Sequence, residues 1–127
     1  MSDLAEVFHR YAKCVSANDV EGIVSPYAPH ASIQSPVGGP VHAGLDAILA
    51  FYRDNELARK LEITGPACVA GCEGAVPMCA TIARDGELLE VDVIDVAEID
   101  EWGRFVRLRA FFDLAGARKL GPAEPRR

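Results

Sequence analysis

Apolar residues in the first third of the chain recur at helical spacing. Leu4, Val7, Phe8, Tyr11, Ala12 and Val15 share one face of a predicted helix, which Ser2 or Asp3 can cap. Asn18-Asp19 ends it, and Asp19 can cap a second short helix through Ile23, Val24 and Tyr27, made irregular by Pro26. A short strand is expected over His30–Ser35, then a turn at Pro36-Val-Gly-Gly-Pro40. Gly44 to Asn55 reads as a third helix, with Ile48, Phe51 and Tyr52 on one stripe and Asp46 in its first turn.

From about Leu61 the period changes from helical to strand-like. Four segments are rich in apolar and β-branched residues: Leu61–Ala70, Ala75–Ala83, Glu87–Ala97 and Arg104–Leu114. Gly71 to Gly74, Asp85-Gly86 and Asp100 to Gly103 separate them, and Asp-Gly between two apolar runs predicts a tight hairpin. Pro77 predicts an edge or a bulge in its strand. The segment 116–127, with Arg118, Lys119, Arg126, Arg127 and two prolines, is expected to be a flexible tail. Helices followed by strands give an α+β class, one domain over 1–115, in which a mainly antiparallel, strongly curved sheet wraps the helices as a cone with an apolar interior.

Composition narrows the function. The chain has 127 residues, half of them apolar, and 13 basic against 19 acidic residues give a net charge of -6. That balance argues against a nucleic-acid partner, which calls for a basic stripe. No apolar run approaches the roughly 20 residues of a membrane span. The stretch Met1 to Arg10 lacks the order of a signal peptide, so a cytoplasmic protein is expected. Cys14, Cys68, Cys72 and Cys79 match no zinc spacing and read as ordinary thiols.

An apolar pocket needs a few inward polar groups. Tyr11 and Tyr52 lie within apolar helical stripes and Tyr27 closes the second helix; each is either a core tyrosine or part of a site. Asp95 sits in the apolar run Val91-Asp-Val-Ile-Asp-Val-Ala97, where alternation puts Val91, Val93, Asp95 and Ala97 on one face. If that face is interior, desolvation raises the pKa of Asp95 and the neutral acid becomes a hydrogen-bond donor. The alternative is that Asp92 points inward, or that Asp95 pairs with Arg107 or Arg109.

These stretches together resemble a known family. Arg10-Tyr11, Asn18-Asp19, Tyr27-Ala28, Pro36-Val-Gly38, Phe51-Tyr52, Ile94-Asp95 and Gly103 to Val106 occur in an order similar to that of the ketosteroid isomerases, of NTF2-like and SnoaL-like fold. The resemblance runs over about residues 5 to 113. It implies that Tyr11 and a protonated Asp95 donate to the carbonyl oxygen of a 3-keto-Δ5 steroid, with Tyr27 and Tyr52 as the hydroxyl network that holds Tyr11. It also implies proton transfer through a dienolate, a small apolar ligand, no cofactor or metal, and a homodimer formed through the outer sheet face, where Ile94 and Val96 lie.

One position departs from the family. An aspartate general base precedes the Pro-Val-Gly turn there; this chain has Ser35, beside the equally non-acidic Gln34. His42, Asp113 or a water held by Ser35 and Gln34 are the substitutes considered. Three functions follow: an isomerase without its usual base, a non-catalytic binder of steroid-like ligands, or another enzyme of the fold, of cyclase or epoxide hydrolase type.

Overall fold

A computed structural model describes residues 4–126; the expected caps at Ser2 and Asp3 lie outside the described residues. The helices are α1 (Leu4–Ser16), α2 (Val20–Val24) and α3 (Leu45–Asp54). The strands are β1 (Tyr27–Gln34), β2 (Val41–Ala43), β3 (Lys60–Ile63), β4 (Cys68–Ala70), β5 (Glu73–Arg84), β6 (Glu87–Ile99), β7 (Phe105–Phe111) and β8 (Arg118–Pro122). All eight join one open, curved sheet with the path β2-β1-β7-β6-β5-β3, β4 pairing with β5 and β8 with β6. The class is α+β, as expected.

The helical stripe of α1 is the buried one: Leu4, Val7, Phe8, Tyr11, Ala12 and Val15 all face the core. Asp19 caps α2 by accepting from the Gly22 amide at 3.0 Å. That helix ends at Val24, earlier than expected, and Tyr27 opens β1 instead of closing the helix. Pro26 explains this: Ser25 still has helical geometry (φ -48°, ψ -41°), but the proline has no amide hydrogen with which to continue the ladder.

The long hairpin β5–β6 forms the spine of the sheet. Its loop is Asp85-Gly86, both with positive φ (51° and 78°), between the paired residues Arg84 and Glu87. Two left-handed residues in a two-residue loop match the right-handed twist of the strands. Pro77 costs no ladder bond. On one side its strand pairs with β6; on the other, the neighbouring strand is interrupted between β3 and β4, and there the Pro77 carbonyl accepts from Thr64 at 3.0 Å. The single apolar segment expected over Leu61–Ala70 is divided at that gap.

The sheet is mainly antiparallel, as expected, with β1 and β7 the one parallel pair among the described strands. One feature differs from the expectation: the segment after residue 116 is not a free tail, since Arg118–Pro122 pairs antiparallel with Glu87–Glu90 of β6. The reason lies in strand length. β7 covers β6 only from Ile94 to Ile99, so the first part of that 13-residue strand has an open edge, and β8 fills it. Arg118 secures the pairing with two bonds to Asp92, both 3.0 Å, and one to Glu90 at 3.1 Å. Farther on, Arg126 donates to the Leu57 and Ala58 carbonyls at 3.1 Å.

The core centres on Phe105, which is fully buried. Its ring lies 5.5 Å from Phe8, 6.0 Å from Tyr11 and 5.3 Å from Tyr27, so it joins α1, β1 and β7. Phe105→Ala is expected to lower unfolding free energy by about 3–5 kcal/mol in urea denaturation, as the cavity left has no element free to collapse into it.

Candidate active site

A cavity of about 390 Å³ opens between the helices and the concave face of the sheet. Alternation along two strands supplies its wall. Val76, Met78 and Ala80 of β5 and Val91, Val93 and Ala97 of β6 are buried on the same face. Asp95 belongs to that face and is 4% exposed, the one buried Asp, Glu, Lys, Arg or His among the described residues. Of the alternatives open in the sequence, the inward one holds. Asp92 points outward to Arg118. Arg107 and Arg109 alternate with the buried Leu108 and Ala110, and Arg109 lies over the Phe111 ring.

The Asp95 carboxyl lines the cavity, and neither a hydrogen bond nor an ion pair among the described residues acts on its titration. Burial alone pushes its pKa up to about 7. Near neutral pH a large share of the molecules therefore carries the neutral acid, which can donate a hydrogen bond into the cavity.

The three tyrosines come from three elements and meet at their hydroxyls. Tyr52 of α3 lies 2.9 Å from the Tyr11 hydroxyl of α1 and 2.7 Å from the Tyr27 hydroxyl of β1. Tyr52 is thus the bridge. Tyr11 and Tyr52 line the cavity; Tyr27 is buried and does not. Desolvation first, then each other's charge and that of Asp95, holds all three well above the ordinary phenol range, so they stay protonated.

Ser35 lines the same cavity at the end of β1, next to Pro36 across a cis peptide bond. The substitutes considered for it do not come to the cavity wall. His42 stacks on Phe51 at 4.9 Å on the short strand β2. Asp113 caps a 3-10 turn by accepting from the Ala115 amide at 2.9 Å. Gln34 donates its side-chain amide to the Gly39 carbonyl at 2.9 Å and shapes the turn.

Two charged wall residues were not among the sequence candidates. Glu56, in the loop after α3, lines the cavity and is ion-paired with Arg59 at 3.1 Å. Arg84, at the end of β5, lines it too. Strand alternation could have revealed Arg84, since it follows Val76, Met78, Ala80 and Ile82 in register; nothing in the sequence marks Glu56.

Residues 8–108 match the model of the SnoaL-like domain. The chain belongs to the SnoaL-like family. It is similar to a protein named steroid Delta-isomerase from Nocardioides simplex, 32% identical over 104 residues, which cover 81% of this chain and 84% of that one. Among solved structures it is similar to SalBIII, described as an epoxide hydrolase/cyclase-like enzyme of pyran ring formation in the polyether salinomycin. The TM-score is 0.81 at 23% identity, over 94% of this chain and 95% of that one. At that identity the likeness speaks for the SnoaL-like, NTF2-like fold alone.

The Asp95 environment predicts a pH signature. Its folded pKa is raised above the unfolded value near 3.8, so its proton stabilises the fold below about pH 4, and that contribution is lost as pH rises to about 7. Asn cannot titrate. Asp95→Asn should therefore gain stability relative to the parent between those limits, by up to about 4 kcal/mol. Urea denaturation at pH 4 to 8 measures it, and parallel curves for the two proteins would contradict a carboxyl raised by burial.

Proposed function

We propose that the cavity binds a flat apolar ketone of the 3-keto steroid class and stabilises its dienolate through an oxyanion hole made by Tyr11 and neutral Asp95. The carrying observation is the buried Asp95 carboxyl, pushed up to about 7, in one cavity with the Tyr11 hydroxyl. When the carbon beside a carbonyl loses its proton, charge builds on the carbonyl oxygen. Donors already aimed at that oxygen in a water-poor site strengthen as the charge grows. The Tyr27–Tyr52–Tyr11 hydroxyl chain fixes the phenol that donates. The similarity to a steroid Delta-isomerase supports this substrate class. The reaction on this reading is the movement of one proton from carbon to carbon in a Δ5-3-ketosteroid, without a cofactor.

Ser35 makes turnover weak. An alcohol is a poor proton acceptor near neutral pH, and Gln34 is committed to Gly39. The same observation favours a second reading, a steroid-binding protein without catalysis. In either case the protein acts as a cytoplasmic homodimer. Four free cysteines suit a reducing compartment. Exposed Ile94 and Phe111, partners across β6 and β7, suit an outer-face interface.

Two measurements test this. Growth of the conjugated enone from a 3-keto-Δ5 steroid should be slow with the parent and about 10²–10⁴-fold faster with Ser35→Asp. A variant that gains nothing removes the isomerase reading. Equilenin, a phenolic mimic of the dienolate, should bind best below pH 7. Its affinity should fall about tenfold per pH unit above that, as the Asp95 proton is lost. Affinity that is level from pH 6 to 9 would exclude Asp95 as a donor.

A further inference from the structure

The outer end of the cavity holds an arginine whose charge has no counterpart. Arg84 follows Val76, Met78, Ala80 and Ile82 on the concave side of β5, and it lines the cavity. Each nearby acid is otherwise engaged or out of reach. Glu56, on the same wall, is paired with Arg59 at 3.1 Å. Arg59 is itself held by the Glu124 carbonyl. Glu87, the cross-strand neighbour of Arg84, is paired with Lys119 at 3.5 Å. Asp85 follows in the hairpin loop, and no acid lies within ion-pair distance of Arg84 among the described residues. Arg84 is therefore the one charged side chain at this rim of the cavity without an ion pair among the described residues.

The other polar end is Asp95, which pairs across the sheet with Val76. Arg84 lies eight residues farther along the same strand and on the same face. At strand rise the two positions are at most about 26 Å apart, shortened by the curvature of the sheet and by the reach of the arginine. Val91, Val93, Ala80 and Ile82 form an apolar wall between them. Along these strands the Asp95 carboxyl and the Arg84 guanidinium are thus separated by an apolar stretch of cavity wall.

We propose that the ligand is a flat apolar ketone or enol carrying a carboxylate or a similar anion on its far end, and that Arg84 selects for it. This rests on the reading of Tyr11 and Asp95 as the oxygen-binding end. An exposed arginine facing one carboxylate contributes up to about 1 kcal/mol, or about fivefold in affinity. The contribution weakens with salt.

Three phenolic probes separate the two ideas: estradiol, its 17-hemisuccinate, which adds a terminal carboxylate, and its 17-valerate, a neutral ester of similar length. Isothermal titration at low ionic strength should give about fivefold tighter binding of the hemisuccinate than of the valerate. The ratio should fall toward one in high salt and in Arg84→Gln, and recover in part in Arg84→Lys. Equal affinity of the two esters in the parent protein, with estradiol bound, overturns the role of Arg84 and leaves the oxygen-binding end standing. Failure of all three probes to bind overturns both.

Discussion

Burying the Asp95 carboxyl against Val91, Val93 and Ala97 penalises its charged form, and no cation or amide is placed to offset that penalty. The other polar features of the interior follow from this. The facing groups must be neutral donors and acceptors, and phenols meet that need because their own burial keeps them protonated. Charged groups are kept to the rim, where Glu56 and Arg59 pair in partial contact with water. The outward acids of the same strand, Glu90 and Asp92, meet Arg118 instead. One strand therefore carries acids with opposite chemistry, separated only by which face each residue takes.

The tyrosine bridge ties this arrangement to the fold. Each phenol is supplied by a different element, and Phe105 packs against two of them from the sheet side. Displacement of α1 or α3 would break a hydroxyl contact as well as apolar packing. The site is thus held by the same residues that hold the core, and positioning does not depend on a loop.

Much of this was legible in the sequence because it rests on period. The stripe of α1, the Asp85-Gly86 hairpin and the inward run of β6 each follow from local chemistry. The family resemblance supplied what period does not: which tyrosines converge, and that Ser35 lies at the cavity. Three things escaped. The pairing of β8 depends on the open edge of a strand some thirty residues earlier, a length relation with no local signal. The parallel β1–β7 contact joins segments far apart in the chain. Glu56 reaches the cavity from a loop whose course is set by Arg59 and Arg126. His42 and Asp113 were reasonable by proximity in sequence to the turn and the last strand, but stacking on Phe51 and a capping bond claim them.

The hydroxyl contacts Tyr27–Tyr52–Tyr11 have a direction as well as a length. Each O–H has a single proton, so each contact runs one way at a time, and a row with all three aligned can run in either direction. If Tyr11 gives its proton to an acceptor in the cavity, Tyr52 is free to give to Tyr11 and Tyr27 to Tyr52. If the cavity presents a donor, the row can reverse without any heavy atom moving. The polarity of the inner wall is then set by its occupant, and successive bonds aligned one way reinforce one another. An oxyanion would meet a wall whose dipoles had turned to face it, inside a scaffold that had not changed shape.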